Sequence, residues 1–411
     1  MKTHKHTSNA KQSLGWSLLG LSFVPLVMVL GNSMLIPILP DMKSELSLSQ
    51  FQSSLIITAF SIPAALAIPI SGYLADHYGR KKVMIPALLI YACGGIIAGL
   101  GALFLQEKSY YVILIGRIVQ GIGAAGTAPL AMTLASDIFN DETRSKALGV
   151  IEAFNGIGKV VSPILGSLVA MIVWYATFFV FPLLCLPIAL LVAFAVMEPQ
   201  GNLNKQPVTA YLKSIKRTFS RKSVSLLSAF FAGSITLFIL FGLLFFLSDI
   251  LESDYQVDGI YKGLVLAIPL TVMAITSYTT GRSVKSKLNK MKRITLWGMA
   301  IISVFSIVSV FTENIYYIVG WLSCIGLGTG MVLPCLNTLI TSAIAAKERG
   351  LVTSLYGSTR FIGVAIGPPV FGFLMKISQQ LMYGVMGGLA LFTVLIVYYC
   401  VNSKQHTAKN S

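Results

Sequence analysis

Charge is what this sequence has least of. Only 11% of its 411 residues are Asp, Glu, Lys or Arg, where a soluble domain carries about a quarter. So few charges could not cover a water-facing surface, which excludes a soluble enzyme. Cysteine is sparse as well. Cys93, Cys185, Cys324, Cys335 and Cys400 each fall in an apolar stretch, and none stands in a CxxC or Cys/His ligand spacing. A disulfide frame or a zinc site therefore has no support. Three of the four histidines lie in the polar tails and form no metal cluster. No nucleophile elbow and no phosphate-cradling glycine loop followed by Lys-Ser/Thr occurs in a soluble segment. Chemistry on ATP is excluded by that, and no cofactor is expected.

What is present is apolar, 55% of the chain, gathered into runs long enough to cross a bilayer. They occur near 14–40, 52–75, 83–105, 110–138, 147–172 and 177–197, then near 225–250, 261–281, 294–312, 317–345, 351–375 and 383–401. Twelve helices of about 22 residues leave only short loops between them. The expected fold is an all-α polytopic membrane protein with two six-helix halves. Its parts are an N-terminal tail (1–13), a first bundle (14–197), a linker (198–224), a second bundle (225–401) and a C-terminal tail (402–411). The basic N-terminus leads into an apolar run too long for a signal-peptide core, so it reads as a retained first helix.

The net charge of +16 has an explanation other than nucleic acid. If both termini are cytoplasmic, the inside segments hold 24 of the 31 Lys and Arg, and the outside loops hold only Lys43, Lys108, Lys262 and Lys376. Arg117, Lys159 and Arg360 lie inside spans. This is the positive-inside pattern, in which basic residues set topology and face anionic lipid heads. The expected setting is a plasma membrane, bacterial in type, with both termini inside and no nucleic-acid partner. The linker, with Lys205, Lys213, Lys216, Arg217, Arg221 and Lys222, suggests an amphipathic helix around Tyr211–Phe219 on the membrane surface.

The halves repeat. Laying residues 111–170 over 316–375 pairs Tyr111 with Tyr316, Gly121 with Gly326, Gly123 with Gly328 and Pro129 with Pro334. The same offset pairs Thr133 with Thr338, Arg144 with Arg349, Gly158 with Gly363 and Pro163 with Pro368. Glycine and proline are the residues most constrained by backbone geometry, so their coincidence outweighs matching leucines. Duplicated six-helix halves are the architecture of secondary transporters, with the binding site at mid-membrane between repeats.

Between the second and third spans stand Gly72, Leu74, Ala75, Asp76, Gly79, Arg80, Lys81 and Lys82. Gly79 permits a tight turn, the cations anchor it inside, and Asp76 among them suggests a salt-bridged latch. The segment resembles the G-x-L-a-D-r-x-G-r-k signature of the major facilitator superfamily, with His77 where Arg or Lys is usual. The resemblance implies a gating role for Gly72, Asp76, Gly79 and Arg80. Asp137, at the inner end of the fourth span, matches a family partner of this loop.

Further motifs resemble the same superfamily. In the fourth span, Arg117 is followed one turn later by Gln120 on the same face, and by Gly121 and Gly123. A charged residue within a span should face a polar interior; the resemblance ties Arg117 to proton coupling, while bonding to carbonyls at a helix contact is the structural alternative. In the fifth span Gly158, Ser162, Pro163 and Gly166 resemble the G-x-x-x-G-P-x-x-G-G signature of proton-driven exporters, with Ser162 and Ser167 replacing glycines. Gly363, Gly367 and Pro368 repeat its first part. Small residues at this spacing form a close seam, and Pro163 kinks the helix. The first span ends in Pro37, Pro40 and Asp41, similar to twelve-span drug/proton antiporters, with Asp41 at the outer mouth.

Glu152, Asn155 and Lys159 share one face of the fifth span, and Arg360 aligns with Asn155 under the repeat offset, which would gather them around a central cavity. Burial of Glu152 would favour proton loading and release, so Glu152, Arg117 and Asp41 are the proton-coupling candidates. A permanent Glu152–Lys159 pair is the bland alternative. Phe238, Phe241 and Phe245 form a stripe that lines a cargo cavity or packs between helices. The reading is a proton-coupled exporter of small amphipathic molecules, of the multidrug efflux type, working by alternating access in the bilayer as a monomer. Three span cations against Glu152 disfavour a cationic cargo. An endogenous anion, such as a catecholate siderophore or a lipid-linked molecule, is therefore the alternative; a membrane receptor or membrane-embedded enzyme is the remaining class.

Overall fold

The computed structural model describes residues 2–105, 108–139, 141–198, 208–284, 288–342 and 346–401. Among these, twelve helices are long and apolar enough to cross a bilayer. Spans 1 to 6 are Leu14–Glu45, Gln50–Tyr78, Arg80–Phe104, Ser109–Ile138, Lys146–Ala170 and Ala176–Ala195. Spans 7 to 12 are Val224–Ser253, Gly259–Ser283, Leu288–Phe311, Ile315–Ser342, Gly350–Ile377 and Gln379–Cys400. An even number of crossings puts Leu14 and Cys400 on one face, called here the terminal face; Asp41 and Lys262 lie at the opposite, distal face.

Local signals set where helices begin and end. Ser49 starts span 2 with a capping box: its Oγ accepts from the Gln52 amide at 3.2 Å, and Gln52 Oε1 accepts from the Ser49 amide at 2.9 Å. Gly79, at φ 108°, ends span 2 and opens span 3 in a left-handed conformation suited to glycine. Span 4 breaks after Ala124 and resumes at Ala128, with Pro129 in the first turn of the new segment. Its repeat partner, span 10, runs unbroken through Pro334. Span 7 belongs to a single helix, Val208–Ser253. The helix expected around Tyr211–Phe219 is thus continuous with span 7, because no glycine or proline interrupts 208–232.

Repeated glycines make equivalent contacts in the two halves. A methyl group on Gly121 would sit 2.1 Å from the Phe60 carbonyl oxygen of span 2; one on Gly326 would sit 2.4 Å from that of Pro269 in span 8. Gly123 presses in the same way on Tyr91 of span 3, and Gly328 on Gly298 of span 9. Gly158 meets Leu26 of span 1 where Gly363 meets Ser234 of span 7. In lipid, where the hydrophobic effect between helices is weak, such close backbone approach is what holds a bundle together.

The halves join along two seams. Span 2 meets span 11, where Thr58 Oγ1 donates to the Ala365 carbonyl at 2.6 Å and Ser358 Oγ to that of Ala65 at 2.5 Å. Span 5 meets span 8, where a methyl on Gly263 would lie 2.6 Å from the Pro163 carbonyl oxygen.

Candidate functional site

At the terminal face the short turn between spans 2 and 3 is bound tightly to the first half. Arg80 forms an ion pair with Asp137 at the end of span 4. The Glu198 carboxylate accepts from the Arg80 amide at 2.5 Å and the Lys81 amide at 3.3 Å, so it caps the start of span 3, where unpaired amides favour an anion. Lys81 Nζ donates to the Ala193 and Val196 carbonyls at 2.6 and 2.7 Å, capping the end of span 6. The expected latch differs in its acid: Arg80 is paired with Asp137, and Asp76 makes no ion pair among the described residues; Gly72 lies opposite Ser354 of span 11. His77 stacks on Tyr73 rather than entering the ion network.

In the middle of the first half, Arg117 is fully buried. Its Nε donates to the Ile56 carbonyl at 3.1 Å, and its Nη1 to the Gly31 carbonyl at 2.8 Å and to Gln120 Oε1 at 2.6 Å. The guanidinium also lies 4.3 Å from the Phe60 ring centroid. Arg117 thus ties spans 1, 2 and 4 together through carbonyls, an arrangement its planar fork of donors suits. These contacts match the structural alternative for this residue.

The second cluster is drawn from spans 5 and 11, one helix of each half. Lys159 lies within electrostatic reach of Glu152 on its own helix and of Arg360 on span 11. Arg360 stacks 5.4 Å from the Tyr356 ring. Its Nε and the Oδ1 of Asn155 are buried without a partner among the described residues. Glu152 departs from expectation: its side chain is exposed. Nothing stands within 4 Å of where a methyl on Gly149, one turn earlier, would be, so this end of span 5 is unpacked and the expected burial of Glu152 does not occur.

The motif of span 5 is a packing surface. A methyl on Gly166 would sit 2.1 Å from the Met34 carbonyl oxygen of span 1; Ser162 and Ser167 are buried; Pro163 abuts Gly263. In span 11, Gly367 meets the Phe238 carbonyl of span 7. Phe238 packs edge-on to Phe371 at 5.5 Å, and Phe245 is buried. Both phenylalanines therefore fill space inside the second half, and Phe241 is partly buried beside them.

A third cluster, at the distal face, escaped sequence reasoning. Asp41 of span 1 lies 3.4 Å from Lys262 of span 8. Lys262 also pairs with Glu252 of span 7, and its side chain is 2% exposed. Lys43 of span 1 pairs with Asp249 of span 7 at 3.2 Å, and Ser248 Oγ donates to the Ile36 carbonyl at 2.8 Å. Two ion pairs of opposite polarity therefore bridge the halves. Asp41 is held in a pair here, not left as a solvated charge. The hint in the sequence was that two of the four lysines assigned to the outer side, Lys43 and Lys262, are the cations of these pairs.

The sequence profile of the Major Facilitator Superfamily matches residues 21–366 and 291–411. The chain belongs to the major facilitator superfamily. It is 41% identical over 391 residues to the bacillibactin exporter of Bacillus subtilis (strain 168), covering 95% of this chain and 97% of that protein. It is 27% identical over 358 residues to multidrug resistance protein 1 of the same organism, covering 85% and 87%. Among solved structures it resembles the human organic anion transporter MFSD10, with TM-score 0.72, 17% identity and coverage of 93% and 99%. This major facilitator protein is a multi-pass membrane transporter, not an enzyme.

Proposed function

We propose that this transporter exports an anionic amphiphile of the siderophore type, drawing on proton entry, with both termini and the terminal face in the cytoplasm. One observation carries the cargo assignment. Lys159 and Arg360, one cation from each half, lie within electrostatic reach of each other, with Glu152 as the carboxylate that acts on Lys159, leaving one cation over. A charge within the membrane is costly, and the buried, unpartnered Arg360 Nε and Asn155 Oδ1 add a donor and an acceptor for a ligand. The bacillibactin exporter, at 41% identity across nearly the whole chain, supports the same class. The distal ion pairs then close the outer side in the state described, and Asp76, Arg80 and Asp137 steady the cytoplasmic turn.

Efflux of varied amphipathic drugs is the second reading, favoured by the resemblance to multidrug resistance protein 1. Reconstituted protein separates the two. Under an imposed pH gradient, vesicles should move a catecholate anion faster than a lipophilic cation of similar size. The reverse preference would select the drug reading, and no gradient-dependent flux of either would reject transport by proton exchange. Coupling is assigned to Glu152 and Asp41. Glu152→Gln mimics the protonated acid and should keep cargo binding while losing pH-driven flux; normal flux in that variant would leave Asp41.

A further inference from the structure

At the distal face a cavity of about 320 Å³ opens between the halves. Its walls include Lys43 and Gln50 of the first half and Asp249, Gly372, Met375 and Lys376 of the second. Two lysines against one aspartate give it a net positive charge. Lys43 is paired with Asp249, but Lys376 makes no ion pair among the described residues. Gln50, which borders the cavity, is 7% exposed, and neither its Oε1 nor its Nε2 has a partner. Leaving a buried primary amide unpaired is costly, so it should be met by whatever enters the cavity. The capped start of span 2 at Ser49 also lines this space and turns its positive end towards it.

We propose that this cavity is an exit subsite for the anionic group of the cargo, distinct from the Lys159–Arg360 site and lying beyond it on the outward path. The proposal rests on the export reading. Lys376 and the Gln50 amide bind the anion, and Lys43 is contested between the anion and Asp249. An anion that draws Lys43 from Asp249 weakens one of the two ion pairs bridging the halves. Arrival of cargo is thereby linked to opening of the outer side. Because the walls come from both halves, the same opening that releases the ion pair also dismantles the subsite, so cargo is not retained there. Gly372 is fitted to Gln50: a methyl in its place would lie 3.2 Å from Gln50 Cγ.

The test reads charge selection directly and needs no transport. In full-length Met375→Cys protein in outward-oriented vesicles, modification by anionic and by cationic membrane-impermeant methanethiosulfonates is compared, with Tyr261→Cys as an exposed control. One net positive charge nearby should raise the anionic-to-cationic rate ratio roughly threefold or more over the control. Lys376→Gln should return it to the control value. Millimolar 2,3-dihydroxybenzoate should slow modification of Met375→Cys, with or without Lys159→Gln, but not when Lys376→Gln and Gln50→Leu are added. A ratio equal to the control, no modification at all, or protection that survives those two changes would each overturn the subsite. Protection without any gradient-driven flux would instead reject the export reading and leave the anion site standing.

Discussion

Lys262 of span 8 is shared by two carboxylates, Asp41 from the other half at 3.4 Å and Glu252 from its own. Of these two contacts only the one to Asp41 crosses between the halves and must break, together with the Lys43–Asp249 pair, for them to part at the distal face. Glu252 remains to neutralise the lysine afterwards, which avoids the several kcal/mol that stranding a buried charge would cost.

Lys262→Met should therefore favour the state open at the distal face. Spin labels at Glu45 and Tyr261, measured by double electron–electron resonance, should show a larger population at long distance than in the parent protein. Asp41→Asn should shift it in the same direction by less, since an amide still accepts from Lys262. An unchanged distance distribution in Lys262→Met, and again when Lys43→Met is added, would show that the ion pairs do not hold the halves together.

Arg117 contacts carbonyls of two neighbouring spans, so its loss should appear first in stability. Arg117→Gln is expected to cost on the order of 3 kcal/mol, read as a drop in the unfolding temperature of purified protein. Arg117→Lys, which cannot reach both carbonyls in a planar fork, should fall between. Parent-like stability in Arg117→Lys together with lost pH-driven flux would make Arg117 a coupling residue instead.

The glycines of the repeat give a matched pair of tests. Gly121→Ala and Gly363→Ala each place a methyl 2.1 Å from a carbonyl oxygen and should destabilise by about 1–3 kcal/mol. Gly320→Ala has open space and should be neutral or slightly stabilising. Equal unfolding temperatures for all three would undo the close-packing account of the repeat.

Those glycines also show what the sequence could disclose. Gly121 and Gly326, or Gly158 and Gly363, repeat because symmetric backbones need the same absence of a side chain, and that survives in a one-dimensional pattern. The Arg117–Gln120 bond was legible too, since three residues along a helix is a fixed geometry. Asp41 and Lys262 are 221 positions apart, and no periodicity relates them; only the packing of span 1 against spans 7 and 8 does. Glu198 was hidden differently. It stands at the edge of a basic linker, where it reads as one acid among many cations, and its work is done through the backbone amides of Arg80 and Lys81. The exposure of Glu152 could not be read either, because helical spacing assigns a face but not what covers it.

Glu198→Ala should free the first amides of span 3 at a cost of about 1 kcal/mol and slow transport. Asp76→Asn should slow it with insertion and folding intact. Turnover equal to the parent in both variants, measured in reconstituted vesicles, would remove the turn from the gating mechanism.

The most direct measurement is equilibrium binding of one anionic and one lipophilic cationic probe to the purified protein and to Lys159→Gln and Arg360→Gln. Loss of either cation should weaken binding of the anion by roughly tenfold or more, an energy of about 1.4 kcal/mol, and leave a neutral compound nearly untouched. If the cation instead binds more tightly while the anion is unaffected, the central site selects positive cargo and the anion-export assignment is contradicted.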